Sequence, residues 1–213
     1  FSIREQKGTG LLIRDLRKEG YKFIQGSKTA GRAGKYGLPV ASEVPDNPSQ
    51  EDPVVIRIWK KQEPADLKTN YQRQRAAYHP NRPLHPIDIP GIDEALQVRF
   101  QTSPEGTRSD PSDWSVFLKV DQGGIMESDD VYMYKAPKRG YQSSWSIRFK
   151  KSEDSYKPTL RKKFYLKAKN GQVYGRLKIK FNPYGLKVKG QKASYIYWDY
   201  AINPHGSRNL LGK

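Results

Sequence analysis

Between Arg161 and Lys192 every charged side chain is a cation: Arg161, Lys162, Lys163, Lys167, Lys169, Arg176, Lys178, Lys180, Lys187, Lys189 and Lys192 are joined by no Asp or Glu. Tyr165 and Tyr174 are interleaved with them. Cations around flat rings suit a polyanion, with charge holding charge while a ring stacks on a sugar or a base. A plainer use exists for the same residues. Lysine on an exposed or edge strand prevents edge-to-edge pairing, and tyrosine packs against lysine across strands.

A second cluster is Tyr195-Ile196-Tyr197-Trp198-Asp199-Tyr200. On a strand, Ile196, Trp198 and Tyr200 share one face, and Tyr195 and Tyr197 share the other. The first set belongs to a core. Tyr195 and Tyr197 then form either an aromatic strip suited to glycan or more core under a loop.

Proton-transfer chemistry has little to work with. Of the three histidines, His79 and His85 each precede a proline and match no helical pair, and His205 stands alone. Nucleophile-elbow, zinc-helix, phosphate-loop and dinucleotide fingerprints are absent. Glu127, Asp129 and Asp130 lack the alternation and closing Glu of a calcium loop, so they read as a solvated turn and no metal site is expected. Zero cysteines exclude disulfides, thiolate metal sites and a cysteine nucleophile. These residues predict a non-enzyme with no cofactor and no catalytic residues.

The elements that would position the candidates are strands. Leu96, Val98 and Phe100 alternate with Gln97, Arg99 and Gln101. Trp114, Val116, Leu118 and Val120 alternate likewise, as do Trp145, Ile147 and Phe149, and then Phe164, Leu166 and Ala168. Asn170-Gly171 supplies the positive φ angles of a two-residue type I′ turn. That turn sets Lys169 opposite Gln172, Lys167 opposite Tyr174, Tyr165 opposite Arg176 and Lys163 opposite Lys178 on one face. Ala168–Val173, Leu166–Gly175 and Phe164–Leu177 fall on the other. The predicted ligand face is therefore Lys163, Tyr165, Lys167, Tyr174, Arg176 and Lys178, with Tyr195 and Tyr197 beside it.

Earlier, short strands are expected at 1–4, 11–15 and 21–24, a polar loop over 26–52, and a strand from Val54 to Trp59. Five prolines between Gln62 and Gly91 predict a linker with no regular element, save a thin helical stripe over 66–78. The expected architecture is all-β: residues 1–61 a partial β domain, 62–91 a Pro-rich linker, and 92–213 a basic antiparallel β-sandwich. Phe1-Ser2-Ile3-Arg4 alternates as if in mid-strand, so the chain is expected to start inside a longer protein. The net charge of +17 points to a polyanionic partner without choosing among nucleic acid, polysaccharide and an acidic membrane surface, and the 12% aromatic content is too high for disorder. No apolar run reaches the ~18 residues of a membrane-spanning helix.

Phe1-Ser2-Ile3 through Gly8, Leu11-Leu12-Ile13 and Arg17-Lys18-Glu19-Gly20-Tyr21 resemble the closing strands of a carboxypeptidase regulatory-like domain. Asp52-Pro53-Val54-Val55-Ile56-Arg57-Ile58-Trp59, Asp113-Trp114-Ser115-Val116, Gly140-Tyr141-Gln142 and Asn203-Pro204-His205-Gly206-Ser207-Arg208-Asn209 are similar to the tails of exported proteins of planctomycete and verrucomicrobial-type bacteria that carry it. The resemblance implies an extracytoplasmic setting (secreted, periplasmic or cell-surface) and a folding or binding module. An anionic polysaccharide or cell-envelope component is then the expected partner, with nucleic acid as the alternative. The turn-rich 203–210 string predicts that Arg208 anchors the chain end to backbone carbonyls.

Overall fold

Period-two alternation makes one side of each strand apolar, and two such faces bury their surface only by covering each other. The computed structural model describes residues 21–23, 58–60, 63–79, 83–92, 95–103, 106–107, 109–130, 132–185, 187–188 and 191–212. The chain divides into two units, Phe1–Glu63 and Pro64–Lys213. In the first, β1 (Tyr21–Phe23) pairs antiparallel with β2 (Ile58–Lys60), so parts of two expected strands are neighbours. The strands expected at 1–4 and 11–15 and the loop at 26–52 lie outside the described residues.

The second unit is an antiparallel β-sandwich. One sheet has the order β4 (His85–Pro86), β5 (Leu96–Thr102), β6 (Trp114–Val120) and β8 (Ser144–Phe149). The other runs β3 (Lys68–Tyr78), β13 (Ser194–Asn203), β10 (Val173–Asn182), β9 (Leu160–Ala168) and β7 (Gly124–Glu127). A further hairpin pairs β11 (Lys187–Val188) with β12 (Gln191–Lys192). Leu96, Val98, Phe100, Val116 and Leu118 from the first sheet and Phe164, Leu166, Leu177, Ile196 and Trp198 from the second belong to one buried cluster. Aromatic rings bridge the layers. Trp145 lies 5.0 Å edge-on from Phe164 and 5.9 Å stacked from Phe181, and Phe100 meets Phe181 at 6.2 Å.

The chain changes sheets between β6 and β7, where backbones approach closely. A Cβ on Gly123 would stand 2.1 Å from the Lys167 carbonyl oxygen, and one on Gly124 would stand 2.7 Å from Tyr141 Cβ. Only glycine admits that packing.

The hairpin register is the one the alternation predicts: Ala168 faces Val173, Leu166 faces Gly175, Tyr165 faces Arg176 and Lys163 faces Lys178. Asn170 and Gly171 take φ of 54° and 89°, as a type I′ turn asks, and Gln172 N donates to Lys169 O at 3.1 Å. The loop is wider than expected. Lys169 is itself left-handed (φ 49°), and the ladder ends at Ala168–Val173 instead of Lys169–Gln172. Asn170 N is bonded instead to Gln122 O at 2.7 Å, docking the loop on the β6–β7 turn.

The expected linker at 62–91 contains two strands, β3 and β4. β3 spans 11 residues there, and Ile87, Ile89 and Ile92 are buried. Pro64 and Pro80 flank β3 without entering it, so the proline density that argued against an element is that of its ends. Its apolar signal is weak: Ala76 and Tyr78 belong to the core at its end, while Lys68-Thr69-Asn70 and Gln72-Arg73-Gln74-Arg75 are polar. The helical stripe read over 66–78 is this strand. Pro86 sits in edge strand β4, where a missing N–H costs no ladder bond.

Candidate polyanion-binding face

The outward face of the five-stranded sheet can be read in rows across the strands. From one end these are Lys167–Tyr174–Asn203, then Met126–Tyr165–Arg176–Ala201, then Lys163–Lys178–Asp199, then Arg161–Lys180–Tyr197, and last Asn182–Tyr195–Ala77. The predicted residues are thus together on one face, but they do not share one environment.

The first two rows are covered. Met133, Ala136, Tyr165 and Leu210 form a second buried cluster, with Met126, Tyr141 and Tyr174 packed against it. The cover is two chain segments that pair with each other: Ala136 N donates to Arg208 O and Leu210 N to Tyr134 O, both at 2.8 Å. Arg208 Nη1 donates to Ala136 O at 2.9 Å, which is the carbonyl anchoring its sequence context predicts. Tyr165, placed by the sequence on a ligand-stacking surface, is only 2% exposed and donates its hydroxyl to Asp130 Oδ2 at 3.1 Å. Burial first, and then the neighbouring Asp130 charge, push its phenol well above the usual range. Arg176 donates to Tyr132 O at 3.1 Å with its guanidinium 5.5 Å over the Tyr134 ring. Tyr174 meets Tyr141 edge-on at 6.4 Å. Tyr165, Tyr174 and Arg176 therefore hold the cover down, and Lys167 lies half-buried in the same rows.

The next two rows are open. Arg161 and Lys178 are exposed and Lys163 and Lys180 half-exposed. With Tyr197 and Asp199 they line a depression of about 250 Å³. Two cross-strand pairs here are like-charged, Lys163 with Lys178 and Arg161 with Lys180. Lys163 donates to the Asp130 carbonyl oxygen at 3.0 Å, and no salt bridge engages any of the four among the described residues. By contrast Lys162, on the inward face of β9, is paired with Glu127, whose other oxygen accepts from Trp145 Nε1 at 2.8 Å. Tyr195 and Tyr197 are half-buried and meet edge-on at 5.2 Å, and Tyr195 accepts from Asn182 Nδ2 at 2.7 Å.

Arg161, Lys180 and Asp199 belong to this depression and were not among the predicted site residues. The signal for the first two was present, since the next row of the hairpin register on that face sets Arg161 opposite Lys180. Their place beside Tyr197 depends on how β13 docks, which no local pattern gives. The acidic trio does not converge: Glu127 serves Lys162 and Trp145, and Asp130 serves Tyr165. Lys180→Thr is expected to stabilise the protein by about 0.2–1 kcal/mol, because it relieves a like-charge pair and adds a β-branched residue. Urea unfolding checks this, and an unchanged or lower midpoint would mean that the pair is already screened.

No family model, curated protein or solved structure matches the chain.

Proposed function

We propose that the chain is a non-catalytic binding module of the cell envelope, whose second unit takes an anionic polysaccharide on Arg161, Lys163, Lys178 and Lys180 with Tyr197 as the neighbouring ring. One observation carries this reading: two facing pairs of cations stand in an open depression without a carboxylate salt bridge among the described residues. Each pair costs stability that an anion would return. The residues gathered there are suited to holding charge and stacking on a sugar, and the arrangement calls for no cofactor. The extracytoplasmic setting, and the reading of the first unit as a carboxypeptidase regulatory-like sandwich, rest on sequence resemblance.

Titration of the full chain with heparin and with a duplex oligonucleotide across a salt series tests the proposal. Heparin affinity is expected to fall with salt, and joint replacement of Lys178 and Lys180 by alanine is expected to flatten the log–log slope by roughly two released counterions. Tighter binding of the oligonucleotide would move the reading to nucleic acid. Failure to bind either at low salt would end both.

A further inference from the structure

Among the described residues that line it, the depression contains one acid. Asp199 lies on β13 directly across from Lys178, at the point where the pairing of β13 with β3 slips between Trp198 and Tyr200. A carboxylate beside so many cations would ordinarily close an ion pair, yet no salt bridge engages it among the described residues. Its Oδ1 is shielded from solvent and has no hydrogen-bond partner among the described residues. An acceptor kept out of water without a donor is costly, so the carboxylate as a whole gains from a donor brought to it from the open depression.

This carboxylate also changes which polyanions the cations will take. It repels a ligand that offers only anionic acceptors, as a polyphosphate does, and it accepts from one whose hydroxyls alternate with its charges. Resting on the reading of this face as a polyanion site, we propose that Asp199 makes the depression selective for acidic polysaccharides with free sugar hydroxyls. The cations engage the carboxylate or sulfate groups while a neighbouring hydroxyl donates to Asp199. In a fully phosphorylated polymer no such donor exists. Discrimination of this kind comes from one attractive and one repulsive element acting at the same position.

The test compares polygalacturonate with inorganic polyphosphate of similar charge, each titrated into the full chain at one low ionic strength. The wild-type chain is expected to prefer polygalacturonate. Asp199→Val removes both acceptor and charge in a residue suited to a strand, and it is expected to lower the polygalacturonate-to-polyphosphate affinity ratio by about tenfold, the scale of one hydrogen bond to a charged group. Asp199→Asn keeps the shape and an acceptor while removing the charge, so it guards against misfolding of the valine variant. It is expected to raise polyphosphate affinity and lower the ratio by a smaller factor. If both variants keep the wild-type ratio, the selectivity proposal is overturned while the polyanion site stands. A wild-type chain that binds neither polymer overturns the site and the selectivity together.

Discussion

Phe164→Ala is expected to lower the unfolding free energy by about 3–5 kcal/mol, the scale of removing a fully buried aromatic ring and leaving part of its volume empty. Phe164 has no exposed surface, and its ring meets Trp145 at 5.0 Å across the gap between the sheets. Trp145 in turn stacks on Phe181. The loss therefore reaches both layers, and neighbours fixed in strands cannot collapse into the space without moving backbone. Urea unfolding should show a lower midpoint at unchanged slope. A loss under about 1 kcal/mol would mean that this aromatic bridge does not hold the sandwich together.

Tyr165→Ala is expected to cost about 3 kcal/mol and to leave polyanion binding by the folded protein unchanged. The ring packs among Met133, Ala136 and Leu210, so its removal undermines the cover and leaves the open rows as they are. Tyr165→Phe should cost about 1 kcal/mol, since it loses only the bond to the exposed Asp130. A Tyr165→Ala protein of normal stability that no longer bound heparin would reverse this assignment and make the ring a contact residue. The pH dependence has a definite sign. Burial and Asp130 hold the Tyr165 phenol above its unfolded value, so its contribution is fully present below about pH 10 and is lost as pH rises through the elevated folded value. Tyr165→Phe should blunt alkaline destabilisation in part, because Tyr78, Tyr141, Tyr156 and Tyr200 are raised as well, each chiefly by burial.

Much of the sandwich was legible from the residues because a strand buries alternate positions whatever it packs against. Leu96, Val98 and Phe100, or Phe164, Leu166 and Ala168, announce a face without naming its partner. Asn170-Gly171 did more. The left-handed φ demanded by its turn fixes which residues oppose one another, and so placed Lys163 across from Lys178. β3 escaped because its sequence, polar over Lys68-Thr69-Asn70 and Gln72-Arg73-Gln74-Arg75, carries almost no period, and the prolines beyond it outweighed what remained. The sequence by itself thus determined strands, faces and one register, all of which follow from backbone geometry over a few residues. Only the tertiary structure decided which half of the basic face is open. The segments around Met133 and Leu210 lie far from Tyr165 along the chain, and long-range packing brings them over it. Packing also set Tyr197 and Asp199 beside Arg161 and Lys180, since pairing between β10 and β13 is fixed by burial of their shared inner face, with no short turn to fix it locally.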